Sequence, residues 1–267
     1  MNMFSFDADP QFVRNQNFHD ACRTGDTAAA VGLLDGSPKD THLINITRSD
    51  FPAILMAADG QHWELCAELI RRGVELNVKN RQGYSPLHAF AKHGNSELIQ
   101  MAVVEGSAYI NRKDMHGRTP LHVGAAVGAF RACEKIIELG GEVNSLSADK
   151  DSPLHMALRQ EPGAEKGALD GDAPKSALEE GRLSVARLLV QHGSHVHGEN
   201  DLGQTPISLC TDEDLRAELE RSALARTVDE TETTRLAERE AAVVAAVAAG
   251  EPVPEEAPKA KRRILKA

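Results

Sequence analysis

Histidine is the residue type that most invites chemistry in this chain. There are eleven of them, and a neutral imidazole can move protons near pH 7 or bind a metal. Three crowd into the string His192-Gly-Ser-His195-Val-His197. Zinc held by three imidazoles needs a fourth ligand or an open position, and no fourth ligand presents itself beside this string. The four cysteines, Cys22, Cys66, Cys133 and Cys210, lie far apart in sequence. That spacing suits small core residues in a reducing compartment rather than a zinc site. Carboxylates are abundant but scattered, with no pair singled out. There is no Gly-x-Ser-x-Gly elbow, no phosphate-cradling glycine loop with its lysine, and no His-Glu-x-x-His. The expectation is a chain that is not an enzyme, with no cofactor, no metal and no small-molecule substrate.

Three other histidines keep a step. His88 and His122 are 34 residues apart, and His155 follows 33 later. Each closes a similar string: Tyr84-Ser-Pro-Leu-His88, Arg118-Thr-Pro-Leu-His122 and Asp151-Ser-Pro-Leu-His155. The prolines Pro52, Pro86, Pro120, Pro153 and Pro206 are spaced 34, 34, 33 and 53 apart, the last being 33 plus 20. Gly83 and Gly117 share the step, and so do Asn77, Asn111 and Asn144. A hydroxyl residue before proline caps a helix whose first position tolerates the missing N–H. The leucine points inward. Gly60, Gly94 and Gly128 are placed to end that helix through positive φ.

These phased strings resemble the ankyrin repeat, with its Thr-Pro-Leu-His-x-Ala signature on a period of 33. The match covers roughly residues 17–210. The resemblance implies an all-α, helix-turn-helix solenoid with short β-turn or hairpin tips, and a histidine that ties one repeat to the next. A stack of thin layers also suits a chain with only seven Phe, two Tyr and one Trp.

Six units follow from the phase. Residues 1–45 hold an N-terminal extension and a degenerate first unit over 11–45, with Ala21 and Gly25 in phase with Met56 and Gly60. Units two to four span 46–79, 80–113 and 114–146. Unit five, 147–199, carries an insertion over 161–180, read either as a tolerated surface loop or as a functional one. Unit six begins at Asn200; its first helix is expected through Cys210, and 200–221 closes the repeats as a C-terminal cap. Residues 222–250 are expected to form a helix with a partial apolar face of Leu236, Val243, Val244 and Val247. From Glu251 a disordered tail is expected. Residues 211–256 hold 13 acidic and 5 basic side chains, whereas 257–267 hold 5 basic and no acidic ones.

The net charge of −10 argues against DNA or RNA as the main ligand. The N-terminus has neither the basic nor the apolar region of a secretory signal. The longest apolar run, 241–249, is too short to cross a bilayer. We therefore expect a soluble, intracellular, cytoplasmic monomer with no membrane contact.

The resemblance also implies that a partner protein is gripped on the concave side, by the turn tips and the exposed face of each first helix. In phase there stand Arg81, Tyr84, Lys92, His93, Met115, His116, Arg118 and Arg159, with Ala58, Asp59, Ala126 and Val127 on the same row. The eight lead residues are locally basic, which points to a partner with an acidic or polar face. Tyr84→Ala with Arg118→Ala is expected to weaken binding without loss of stability. Trp63, opening a second helix, is expected in the core. The role is that of a scaffold, an inhibitor or an effector. Alternatives are a nucleic-acid-associated factor using the basic end and a targeting subunit of an enzyme complex.

Overall fold

A computed structural model of the chain describes residues 10–35, 41–45, 47–48, 51–159 and 175–225. Helices dominate. A first row is formed by α1 (Pro10–Thr24), α4 (Ala53–Asp59), α6 (Pro86–Lys92), α8 (Pro120–Ala126), α10 (Pro153–Leu158) and α12 (Pro206–Leu209). A second row is formed by α2 (Thr27–Asp35), α5 (Trp63–Arg71), α7 (Ser96–Val104), α9 (Phe130–Glu138) and α11 (Lys175–Gln191), followed by a helix over 213–225. The short α3 (Thr41–Ile44) precedes two-residue strands, β1 (Thr47–Arg48) and β2 (Phe51–Pro52), that pair antiparallel.

The repeated tetrapeptide explains each first helix. Ser85, Thr119 and Ser152 are N-caps in extended backbone, and Pro86, Pro120 and Pro153 take the first helical position. Leu87, Leu121 and Leu154 are then fully buried between layers. Alanines such as Ala89, Ala91, Ala125 and Ala157 fill the interior of the row, where thin side chains let helices approach. Cys22, Cys66 and Cys133 are free thiols buried there, and burial pushes the Cys22 and Cys66 thiols up to about 12. Trp63 is half-buried, packed edge-on to Phe90 at 6.5 Å and against His93 at 5.5 Å.

The register of unit two differs from the expected one. Pro52 is the N-cap of α4, extended at φ −61° and ψ 143°, and Ala53 takes the position that Pro86 holds in α6. Proline's fixed φ suits either place, so the proline spacing alone set this unit one residue early. Accordingly Gly60 is right-handed at φ −77°, and the left-handed turn falls on Gln61 at φ 59°. Gly94 and Gly128 do turn through positive φ, at 72° and 69°. Ala58, expected on the binding row, is completely buried.

Unit five is also redrawn. Residues 160–174 lie outside the described residues, and 175–180, expected in the loop, open α11. Helix α10 has six residues where α6 and α8 have seven, and Arg159 leaves it in extended backbone. Elsewhere a tight turn covers the last carbonyls, as when Asn95 N–H donates to Phe90 O. In α10 the buried Arg182 does this instead. Its Nε donates to Ala157 O at 3.0 Å and its Nη2 to Met156 O at 3.3 Å. Removing it leaves two carbonyls short of donors. Arg182→Ala is expected to cost about 1–3 kcal/mol in urea unfolding, with Arg182→Lys restoring only part. An unchanged midpoint would refute this capping role.

In unit six α12 stops at Leu209, short of Cys210, and the boundary expected at 221/222 falls inside the 213–225 helix. The helix and tail expected over 222–267 otherwise lie outside the described residues. No helix among the described residues is long and apolar enough to cross a membrane.

Candidate functional site: the concave face

Each tip is built around one side-chain acceptor. Asn80 Oδ1 accepts from Gln82 N and Tyr84 N at 2.9 and 3.0 Å. Asp114 Oδ1 accepts from His116 N and Arg118 N, both at 2.9 Å, and Asn200 Oδ1 does the same for Leu202 N and Gln204 N. Short Asx-type turns of this kind replace backbone pairing. The tips are sewn together in turn: Met115 N donates to Gln82 O at 2.9 Å, Ala148 N to His116 O at 2.8 Å, and Asp201 N to Asp149 O at 3.1 Å. Gly117 shows why glycine recurs here. Its φ is +70°, and a Cβ on it would sit 2.7 Å from Ala148 N.

Below the tips, the histidines form the expected ties. Ser85 N donates to His88 Nδ1, so Nε2 carries the proton and donates to Arg118 O at 3.0 Å. His122 Nε2 likewise donates to Asp151 O at 3.0 Å, and His155 Nε2 to Gln204 O at 3.1 Å. Burial holds all three below the usual imidazole range, His122 at about 4. A parallel ladder runs on the opposite edge. Asn77 Oδ1 accepts from Tyr109 N, Asn111 Oδ1 from Glu142 N, and Asn144 Oδ1 from His195 N, each at 2.9 Å. Asn45 belongs to it too, accepting from Glu75 N at 2.7 Å; its spacing of 32 to Asn77 hid it in the sequence.

A run of buried Ser/Thr-Pro-Leu-His units linked through their histidines, with phased Asx tips, matches a known pattern. A family profile described as "Ankyrin repeats (3 copies)" fits residues 53–147. Residues 53–147 form ankyrin repeats. The repeats are 35% identical over 91 residues to alpha-latrotoxin-Lhe1a of Latrodectus hesperus, covering 33% of this chain and 6% of that protein. They are 29% identical over 145 residues to the probable 26S proteasome regulatory subunit p28 of Saccharomyces cerevisiae, covering 54% and 63%. They are 24% identical over 168 residues to ankyrin repeat and SOCS box protein 3 of Bos taurus, covering 57% and 32%. The chain thus spans less than two thirds of the length of each of these relatives.

Between the tips and the first helices lies a cleft of about 480 Å³. Its floor is Val123, Ala126, Val127 and Met156, and Asp59, Tyr84, Lys92 and Arg118 stand around it. Of the eight expected contact residues it gathers Tyr84, Lys92 and Arg118. Arg81, Met115 and His116 are exposed on the tips beyond it, Met115 at 63%. His93 is turned onto Trp63.

Three of the expected contact residues are held within the fold. Tyr84 is half-buried, stacked on His88 at 5.0 Å, with its hydroxyl donating to His88 O at 3.2 Å. Burial pushes that hydroxyl above the usual phenol range. Arg118 is clamped by the buried Asp114 carboxylate at 2.8 Å. Burial alone would raise the Asp114 carboxyl, but hydrogen bonds from Arg118 outweigh it and hold it below the usual range. Arg159 is held at 2.7 Å by Asp151, which is fully buried and also receives Asn200 Nδ2 at 2.8 Å.

Two cations of the expected basic patch, Arg118 and Arg159, therefore face buried carboxylates. Both side chains hold partners within the fold, so Tyr84→Ala with Arg118→Ala is now expected to cost stability as well as binding. Sequence reasoning passed over Val123 and Met156. Both occupy the variable position of Thr-Pro-Leu-His-x-Ala, three residues after Pro120 and Pro153, and that phase would have found them. Asp59 was placed on the row; burial raises its carboxyl, against the nearby Lys92 ammonium.

No group of three or more His, Cys, Asp or Glu that could hold a metal occurs among the described residues. His195 and His197 are exposed on the turn after α11.

Proposed function

We propose that this chain is a protein-binding module that takes a partner segment along its concave cleft. The observation that carries this reading is the apolar floor of Val123, Ala126, Val127 and Met156 opening between the charged side chains Asp59 and Lys92. Ankyrin repeats are protein–protein interaction modules, and a rigid row of linked layers presents such a floor at little entropic cost. One relative is described as a probable 26S proteasome regulatory subunit. A role inside a larger assembly, as scaffold, inhibitor or effector, fits the same surface.

The charge balance changes the partner's chemistry. With Arg118 and Arg159 held by Asp114 and Asp151, the affinity comes from apolar contact over the floor, with Lys92 and Asp59 setting register. The partner is a polar-flanked, apolar segment rather than an acidic surface. The working compartment is the cytoplasm, which suits the free thiols of Cys22, Cys66 and Cys133.

The test is a comparison of partner retention by the intact chain and by Val127→Asp and Lys92→Glu variants. Both positions are only partly buried, so melting temperatures are expected to stay within a few degrees. Proteins retained by the parent chain are expected to be lost from Val127→Asp and reduced with Lys92→Glu. Equal retention by all three would exclude this surface.

A further inference from the structure

A second groove, of about 600 Å³, lies on the row of second helices and shares no lining residue with the cleft beside the tips. Helix α5 packs on α7, and α7 on α9, but α2 of the degenerate first unit makes no comparable packing with α5. Val31 of α2, Trp63 and Ala67 of α5, and Met101 of α7 line the groove, all half-buried. The Trp63 ring meets Phe90 and His93 within the stack and also borders this open space. A held tryptophan offers a partner large apolar area with little side-chain freedom left to lose. The charges around the groove are unbalanced. Arg71 pairs with Glu68 at 2.9 Å, and Glu68 also holds Arg72 at 2.7 Å. Glu64 and Glu97 line the same groove, are exposed, and form no ion pair among the described residues. Each is the second residue of its helix, α5 or α7, so the two carboxylates stand one helix spacing apart, about 8–10 Å.

We propose that this groove docks a second partner protein, through a helical apolar segment that carries two basic side chains. Charge complementarity and spacing set that chemistry. Cations at positions i and i+7 of a helix lie on one face about 10 Å apart, at ~1.5 Å per residue, and so reach Glu64 and Glu97 together. Apolar residues between them cover Val31, Trp63 and Met101. An arginine at one end also lies against the indole face, where its flat guanidinium is favoured over a lysine. The same carboxylates repel the phosphates of nucleic acid. Because the groove and the cleft share no residue, both surfaces can be filled at once, and the chain then bridges two proteins.

Trp63 is the one tryptophan of the chain, so its fluorescence reads the groove directly. The probe is a tryptophan-free synthetic helical peptide with arginines at i and i+7 and leucines at i+3 and i+4, titrated into the intact chain. Trp63 emission is expected to shift and saturate, with an affinity that falls as salt is raised. Glu64→Gln with Glu97→Gln, both exposed, is expected to weaken binding at least about tenfold, and a peptide with glutamates in place of the arginines should not bind. No saturable change up to about 1 mM peptide, or equal affinity in the double variant, would overturn the proposal. So would loss of the response in Val127→Asp, which would put the peptide in the cleft beside the tips. Trp63 emission that shifts on deleting residues 257–267, or on raising protein concentration without peptide, would overturn it as well, because the chain itself would then fill the groove.

Discussion

Leu121→Ala is expected to cost about 2–5 kcal/mol in urea unfolding. Leu121 is 1% exposed, at the second position of α8, which packs on both α6 and α10. The backbone around it is pinned on every side. Thr119 and His122 close a capping box, and His122 reaches across to Asp151 O. The cavity left by truncation therefore has little freedom to collapse, which places the cost in the upper part of that range. The loss also falls at the middle of a one-dimensional stack, where each unit is held only by its neighbours. We expect the single unfolding transition to broaden or split, as the N-terminal and C-terminal units lose their coupling. A loss below about 1 kcal/mol, with the transition unchanged in width, would mean that the layer can repack.

The second large effect is on pH. His122 is held at about 4 by burial, and His88 and His155 are also lowered. The folded state thus binds fewer protons than the unfolded chain between the ordinary imidazole value and the lowered one. Stability is fully present above about pH 6.5 and is lost as pH falls toward 4. For His122 alone the loss is on the order of 3 kcal/mol across that interval, at 1.36 kcal/mol for each pKa unit. Asp114, held low by Arg118, adds its own loss below the usual carboxylate range. Urea midpoints measured from pH 7.5 to 4 should stay level at first and then fall steeply. His122→Asn is expected to be weaker at pH 7, since Asp151 O loses its donor, yet to show a shallower fall. A parent profile flat from pH 6.5 to 4 would contradict the neutral, buried histidine ties.

How far the site was legible follows from which forces act locally. The tetrapeptide Ser/Thr-Pro-Leu-His carries its own cap, its own start and its own core residue, so three copies in phase specified α6, α8 and α10 to the residue at their starts. Unit two lacked the hydroxyl and the histidine, and there Pro52 misled. The closing turn of α10 was also hidden. Its donor is Arg182, 25 residues from Ala157, and no spacing rule links the two.

By itself, the sequence determined the architecture, the histidine ties and the row of tips and first helices, because caps, helix starts and buried leucines are decided within a few residues. Only the tertiary structure decided the chemistry of that face. Arg118 and Arg159 read as free cations in the chain, and as neutral pairs once Asp114 and Asp151 are buried against them. Tyr84 reads as an anchor, and in the stack its ring and hydroxyl are held by His88. Charge and exposure depend on what is packed opposite, and in a solenoid what is packed opposite comes from the next layer.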